Sequence, residues 1–144
     1  VDAVVANIDI DPTVLELAGL AAPGDMDGRS FLGLATGDLD PRDWRGELLY
    51  EYYWEWNFPH TPTTFAVRGD RYKLIQCHGI WDTDELYDLV DDPRETRNLI
   101  HDPSHKPTAD RMRRRLHDLL AETGGMQIPL GRKMGDGANL RSAE

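Results

Sequence analysis

The stretch at residues 63–98, TTFAVRGDRYKLIQCHGIWDTDELYDLVDDPRETRN, decides the fold because it reads as three consecutive strands. Its first two strands, at residues 64–68 and 71–76, flank Gly69-Asp70, and a two-residue loop that begins with glycine predicts a tight hairpin. Along the second strand, polar and apolar side chains are distributed unequally between the two faces. We therefore expect a sheet with one drier and one wetter face.

Two further strands complete the predicted sheet. Residues 84–90 predict the third strand, which ends at Asp92-Pro93 because proline lacks the donor that a strand ladder needs and restricts the residue before it. Residues 47–54, ELLYEYYW, are rich in residues that favour a pleated surface. They predict a strand that precedes the hairpin.

A long helix is predicted after the sheet. It starts at Ser104 or Thr108, with Pro107 in or before its first turn, and it ends at Gly124-Gly125. Its apolar face is formed by residues at helical spacing: Ala109, Met112, Leu116, Leu119 and Leu120. Four arginines lie mostly off that face: Arg111, Arg113, Arg114 and Arg115. We expect them to be solvated and to balance the charge of the acidic segment at residues 82–95. The predicted class is α+β, a small antiparallel sheet of about four strands packed against a C-terminal helix.

A short helix is predicted near the N-terminus. Asp11 is placed to cap it, Pro12 takes the first helical position, and Gly19 ends it. Its predicted buried stripe consists of Val14, Leu15, Leu17 and Ala18. Because a helix under about 12 residues is marginal in water, we expect it to dock on another part of the protein. Residues 21–43, rich in Gly, Asp and Pro, predict a surface connector with one short helix at residues 30–36.

Three blocks of the sequence, taken in order, resemble the C-terminal region of type I sulfatases. Residues 7–19, NIDIDPTVLELAG, are similar to the D-x-x-P-T-x-L-x-x-A-G helix of that family, and residues 26–31, MDGRSF, to the G-x-S segment after it. The third block is FAVRGDRYKLI at residues 65–75 with ELYDLVDDPRETRNLI at residues 85–100. The resemblance is strongest to sulfatases similar to N-acetylglucosamine-6-sulfatase and N-sulfoglucosamine sulfohydrolase.

This resemblance implies the architecture and the domain organisation. The sheet and its helix would form the C-terminal subdomain of an alkaline-phosphatase-like sulfatase. Residues 1–43 would be the end of the catalytic domain and a connector, residues 44–125 the C-terminal subdomain with its closing helix, and residues 126–144 a tail without periodicity. The expected partner is an N-terminal catalytic domain that is missing from this sequence, on which the first helix would dock.

Composition excludes several classes of function. The chain has 144 residues and a net charge of −10, which argues against nucleic acid or an anionic membrane as a partner, since both are bound mainly by Lys and Arg. A single cysteine cannot form an internal disulfide, and no apolar run is long enough to span a bilayer. The compartment stays open from the residues, and the resemblance implies a periplasmic, secreted or lysosomal protein.

No residue of this chain is assigned to catalysis or to a metal. Type I sulfatases use a formylglycine made from the cysteine of C-x-P-x-R, and the segment at Cys77, CHGIW, is not that motif. We therefore interpret Cys77 as a small strand residue. Four acids lack calcium-loop spacing and are interpreted as turn residues: Asp88, Asp91, Asp92 and Glu95. The resemblance implies calcium and formylglycine in the full-length enzyme, so we expect this chain alone to be inactive.

The stretch EYYWEWNFPHTP at residues 51–62 carries the candidate substrate site. Aromatic rings stack on the C–H faces of sugars, and Asn and His bond to hydroxyls. We expect core packing for the first three aromatic residues, Tyr52, Tyr53 and Trp54. The candidate substrate-binding residues are Trp56, Asn57 and His60, which lie in a proline-bracketed loop. In related sulfatases the corresponding loop leads into the pocket and carries a sugar-contacting histidine, which His60 resembles in placement.

The predicted function is that of a C-terminal fragment of a sulfatase acting on sulfate esters, with amino sugars or glycosaminoglycans as substrates. The fragment would supply one wall of the substrate pocket and stabilise the fold. Two alternatives remain open. One is a phosphatase or phosphodiesterase of the same superfamily, and the other is a stand-alone carbohydrate-binding module.

Overall fold

The computed structural model describes residues 3–55, 57–79 and 82–126. The elements, in chain order, are a 3₁₀ turn Asn7–Asp9, helix α1 Ile10–Leu17, helix α2 Leu32–Thr36, a 3₁₀ turn Pro41–Asp43, strands β1 Glu47–Tyr52, β2 Thr64–Gly69, β3 Tyr72–Cys77 and β4 Glu85–Asp88, a 3₁₀ turn Pro103–His105 and helix α3 Lys106–Thr123. Among these described residues no helix is long and apolar enough to cross a membrane. The predicted tail lies almost wholly outside them.

The four strands form one antiparallel sheet in the order β1-β2-β3-β4, as predicted. Val67 lies opposite Leu49 on β1 and opposite Leu74 on β3, and Leu74 lies opposite Leu86 on β4. Because side chains alternate between faces, this apolar row occupies one side of all four strands. We call that side the inner face and the opposite side the outer face.

Two predicted strand ends are wrong, for local reasons. The hairpin loop consists of Asp70 and Arg71, one residue later than predicted, because Gly69 remains paired with Glu47 of β1. Strand β4 ends at Asp88, well before the predicted proline stop. The Asp88 carboxylate accepts hydrogen bonds from the backbone N–H groups of the second and third residues after it, at 3.2 and 3.3 Å. An aspartate that bonds to its own following backbone starts a turn.

Helix α3 covers the inner face and completes the core, as predicted. Ala109, Leu116 and Leu120 are buried, and Met112 and Leu119 pack at the edge of the same cluster. The strand side of the cluster is supplied by Phe65, Val67, Leu74 and Leu86, with Leu99 from the segment before the helix. The helix begins between the two predicted starts and ends where Gly124 adopts a φ of 78°.

The arginines of α3 only partly follow the prediction. Arg113 bonds to Asp84, an acid of the expected segment, at 3.2 Å. Arg115 instead pairs with Glu47 of β1 and with Glu122 of its own helix. One of these two arginines therefore pairs with the predicted acidic segment, and the other pairs with the edge strand β1.

The first 44 described residues form a separate cluster, which we call the N-terminal unit (residues 3–46); residues 47–126 are the sheet unit. Asp9 is fully buried and accepts bonds from the backbone N–H groups of Ala6 and Arg29 at 2.8 and 2.9 Å, and from Arg45 Nη2 at 2.5 Å. The indole N–H of Trp44 donates to the Val4 carbonyl at 2.8 Å. Residues on both sides of the connector are thus tied together. No observation tests the predicted domain boundaries, which stay predictions.

Helix α1 differs from the prediction in its start and in its buried side. It begins at Ile10 with Asp9 at the N-cap position, so Pro12 is its third residue and Asp11 does not cap it. Pro12 and Thr13 are its buried residues, whereas Val14 and Leu17 are 56% and 65% exposed. Within the described residues, Val14 and Leu17 of the predicted stripe are therefore largely uncovered, whereas Leu15 is half-buried.

The outer edge of β4 is closed by an asparagine side chain. Asn98 Oδ1 accepts from the backbone N–H of Leu86 at 3.0 Å, and Asn98 Nδ2 donates to the carbonyl of Asp84 at 3.1 Å. The Leu86 carbonyl accepts from the Leu99 N–H at 2.8 Å. Side chain and backbone together occupy groups that a fifth strand would use.

Candidate functional site

Two loops lie at the same end of the sheet, because the β1–β2 and β3–β4 connections of an antiparallel sheet share an end. They are also in contact. The His78 N–H donates to the Thr63 carbonyl at 2.8 Å. A Cβ placed on Gly79 would lie 3.1 Å from the Cβ of Pro62. This close approach joins the β3–β4 connection to residues 53–63, which we call the aromatic loop.

The aromatic loop is folded by its own hydrogen bonds. At its base the Trp54 N–H donates to the Thr63 hydroxyl at 2.9 Å, and the Trp54 indole N–H donates to the Pro59 carbonyl at 3.2 Å. Two backbone bonds of 3.0 Å form consecutive turns, from Phe58 to the Glu55 carbonyl and from Thr61 to the Phe58 carbonyl. These bonds give the loop a defined shape although it contains no strand or helix.

The candidate residues Asn57 and His60 both lie on this loop and both are exposed. Within the described residues no hydrogen bond or ion pair engages either side chain, so their polar atoms face solvent. Trp56, the third candidate, lies outside the described residues. The assignment of these three residues to substrate binding stays a prediction.

The three aromatic residues before the candidate site go to different places. Tyr53 packs against the core, with its ring 5.6 Å from that of Phe65, and its hydroxyl donates to Glu51 Oε2 at 2.5 Å. Core packing is therefore confirmed for Tyr53. It is wrong for Trp54, which is 41% exposed and braces the loop through its indole N–H. Core packing is also wrong for Tyr52, which lies on the outer face, opposite the side that carries the core.

The outer face carries a groove that the sequence analysis missed. Among the described residues its lining consists of Tyr50, Tyr52, Phe58, Thr61 and Thr64, and its volume is about 360 Å³. We call it the aromatic groove. Tyr50 and Tyr52 are two residues apart on β1, a spacing that puts both rings on one face. That spacing was visible in the sequence, but the return of the aromatic loop over the strands was not.

Neither the cysteine nor the acidic cluster forms a reactive site. Cys77 is the last residue of β3, as predicted, and burial raises the pKa of its thiol, so it is a poor nucleophile. The Arg71 guanidinium holds the pKa of Asp88 below its usual range, and the Arg97 backbone N–H does so for Asp92. The turn role rests on geometry: the Asp88 carboxylate accepts from the Val90 and Asp91 N–H groups, and the Asp92 carboxylate accepts from the Arg97 N–H at 2.8 Å. In the described ranges no group of three or more His, Cys, Asp or Glu could hold a metal ion.

Comparison with known proteins gives a consistent family assignment. The family model for the C-terminal part of N-sulphoglucosamine sulphohydrolase matches residues 1–122. The chain is 32% identical over 123 residues to the N-acetylglucosamine-6-O-sulfatase of Bacteroides thetaiotaomicron, covering 84% of this chain and 21% of that protein. It thus spans about a fifth of the length of this relative.

Two further matches extend the comparison. A structure solved with its substrate D-glucosamine-2-N,6-O-disulfate aligns with a TM-score of 0.68 at 27% identity, covering 86% of this chain and 25% of that one. The multifunctional alkaline phosphatase superfamily protein PehA of Trinickia caryophylli is 33% identical over 111 residues, covering 69% of this chain and 21% of that protein. The relatives that this chain matches therefore include a sulfatase and a protein named for the alkaline phosphatase superfamily.

Proposed function

The chain belongs to the N-sulphoglucosamine sulphohydrolase C-terminal family, and from this premise we propose that it is the C-terminal part of a sulfatase that hydrolyses sulfate esters of amino sugars or glycosaminoglycans. The observation that carries the proposal is the match of the family model to residues 1–122, together with a relative named for N-acetylglucosamine 6-O-sulfate chemistry. The described residues contribute binding and support. The reaction itself needs groups from upstream.

The nucleophile and the metal belong to the rest of the enzyme in this proposal. Cys77 is half-buried at the end of a strand with its pKa raised, and no described cluster suits a cation, so the described residues do not fit a formylglycine or a calcium site. Calcium and formylglycine would both be supplied by the upstream catalytic domain. No step of the reaction is therefore assigned to this chain, and alone it would be inactive.

The upstream domain would cover the exposed stripe of α1. Ile10, Val14 and Leu17 are 51%, 56% and 65% exposed, which is high for large apolar residues spaced along one short helix. Burying such a side chain contributes about 1.5–3 kcal/mol. A domain that precedes residue 3 would lie next to this helix, and its surface is the proposed cover.

The aromatic loop would form one wall of the substrate pocket. It is exposed, it is folded by its own hydrogen bonds, and it presents Asn57 and His60 with their polar atoms directed to solvent. The Asn57 amide and the His60 imidazole each carry donors and acceptors suited to sugar hydroxyls. Trp56, between Glu55 and Asn57 in the chain, completes the proposed set of substrate-binding residues.

The test is His60→Ala in the full-length enzyme, with kcat/KM measured on a sulfated amino sugar and on a small aryl sulfate. Leaving a buried polar group unpaired costs about 1–3 kcal/mol, so kcat/KM on the sugar should fall on the order of 10- to 100-fold. The loss on the aryl ester should be much smaller, because that substrate lacks the hydroxyl.

The matched control is His101→Ala, which removes another exposed histidine from the segment before α3. It should leave both values of kcat/KM within about twofold, as surface substitutions usually do. Equal losses on both substrates for His60→Ala would mean that His60 acts through folding or through the chemical step. No loss on either would remove the loop from the substrate site.

A phosphatase or phosphodiesterase is the second candidate, because PehA shares 33% identity with this chain over 111 residues. The described residues suit either ester, since neither nucleophile nor metal lies among them. Parallel assays of the full-length enzyme with a sulfate monoester, a phosphate monoester and a phosphate diester of the same aryl alcohol separate the two. A kcat/KM for either phosphate ester above that for the sulfate ester would overturn the proposed activity.

A further inference from the structure

The aromatic groove lies on the outer face and is lined by none of the proposed substrate residues. We propose that it is a subsite for the apolar face of an uncharged pyranose ring, next to the sulfated unit that the remainder of the pocket holds. This inference rests on the proposed function, since it assigns a neighbouring sugar to the same enzyme. Its basis is the shape, the polarity and the charge of the groove.

The shape of the groove suits a flat ring. Tyr50 lies opposite Ala66 on β2, and the small alanine side chain leaves the tyrosine ring without a tall neighbour across the strands. Tyr50 is 55% exposed, although aromatic side chains on a sheet are usually well buried. Phe58, 58% exposed, reaches the same groove from the aromatic loop. Two strand tyrosines and one loop phenylalanine thus border one depression.

The loop wall of the groove is pre-formed. The Phe58 N–H donates to the Glu55 carbonyl and the Phe58 carbonyl accepts from Thr61, both at 3.0 Å, which fixes the backbone on each side of the ring. A ligand would therefore lose little free energy in ordering this wall.

Two hydroxyls give the groove its polar groups. Thr61 and Thr64 both line it. The Thr64 hydroxyl donates to the Pro62 carbonyl at 3.2 Å, so its oxygen still has a lone pair to accept a bond from a sugar hydroxyl. Apolar walls with a few fixed polar groups are the usual composition of a small-molecule site.

The lack of charged side chains among the described lining residues favours an uncharged ring. None of the five lining residues is a Lys or Arg, and in the described part of the chain every ion pair is made by residues outside the groove. Among the described residues a sulfate would find no counter-charge in this groove, and the chain as a whole has a net charge of −10. A volume of about 360 Å³ is near the lower end for ligand sites, which fits one ring.

The experiment uses the full-length enzyme and the neutral disaccharide N,N′-diacetylchitobiose as probe, with Kd measured by saturation-transfer NMR. Tyr50→Leu keeps an apolar side chain and removes the flat ring, so we expect Kd to rise about tenfold or more, given the energy of burying one aromatic side chain. Tyr50→Phe keeps the ring and should bind within about twofold of wild type. Val90→Ala, at an exposed apolar residue beyond β4, is the control for a surface change.

Two results overturn the inference. One is the absence of disaccharide binding by the wild-type enzyme. The other is equal binding by Tyr50→Leu and wild type, whether or not the variant has a lower melting temperature. The proposed function is judged separately, since an enzyme that cleaves no sulfate ester would refute it while the disaccharide Kd still reports on the groove.

Discussion

The N-terminal unit is organised around one buried carboxylate, whereas the sheet unit is organised around a contiguous apolar core. In the N-terminal unit, the Asp9 carboxylate accepts hydrogen bonds from three donors, in residues 6, 29 and 45. The few buried apolar side chains of this unit include Val4 and Trp44. In the sheet unit, apolar side chains from all four strands and from α3 pack together in one cluster around Leu74 and Leu116.

This difference indicates which of the two units is stabilised by its own apolar core. Burial of apolar area is the main favourable term in folding, and the sheet unit buries such area in its core. The N-terminal unit directs the larger apolar side chains of α1 outward, so its cohesion depends on polar contacts and on cover from elsewhere. We expect the two units to respond differently to mutation.

The largest expected effect is that of Leu116→Ala, because Leu116 is fully buried between α3 and the sheet. Removing a buried leucine side chain costs roughly 2–5 kcal/mol, through lost transfer energy and a residual cavity. Urea unfolding of the 144-residue chain, followed by circular dichroism, measures the change, with Val90→Ala as the exposed control. A loss below about 1 kcal/mol would mean that the sheet unit does not depend on this core.

A smaller and more local effect is expected for Asp9→Asn. The asparagine keeps the size of the side chain but leaves the charge of Arg45, which is only 13% exposed, without its partner. Breaking a buried pair in this way costs roughly 3 kcal/mol. Hydrogen exchange should accelerate at the amides of α1 and stay unchanged in α3, and Asp11→Asn, at an exposed acid of the same helix, should change neither. Equal acceleration in α3 would show that the two units unfold together.

The smallest expected effect is that of Leu17→Ser in the 144-residue chain, since Leu17 is 65% exposed. Substitutions at such positions usually change stability by less than about 0.5 kcal/mol. In the full-length enzyme the same change should cost about 1.5–3 kcal/mol, because the proposed cover would bury that side chain. Thermal unfolding of both proteins gives the comparison. If the cost is alike in the two, α1 does not dock on an upstream domain.

The sequence predicted the sheet unit well because its signals are periodic and local. Alternation marked the second strand of the hairpin, strand propensity marked residues 47–54, and the spacing from Ala109 to Leu120 marked the buried face of α3. The errors lie where a contact from another element decided the outcome. Gly69 stays in its strand because it pairs with β1. The rules for hairpin turns consider only the two strands of the hairpin and so do not include this third strand. Asp88 ends β4 because its side chain caps the next turn.

The N-terminal unit and the site were less predictable because their contacts are distant in sequence. Asp9 and Asp11 look alike by local rules, but the Asp9 carboxylate makes no capping bond to α1 and instead bonds to partners 20 and 36 residues away. The aromatic groove likewise needs Phe58 to return over Tyr50, which follows from the fold of a loop and not from periodicity. The loop candidates Asn57 and His60 were found from composition, and the structure adds that they are exposed.

The asparagine at the outer edge of β4 affects how that edge can meet other polypeptides. A free strand edge is a template for intermolecular pairing, the first step of ordered aggregation. At β4 an approaching chain would have to displace the bonds that Asn98 makes to Leu86 and Asp84 before it could pair. A single amide side chain therefore serves as a guard against unwanted growth of the sheet on that side.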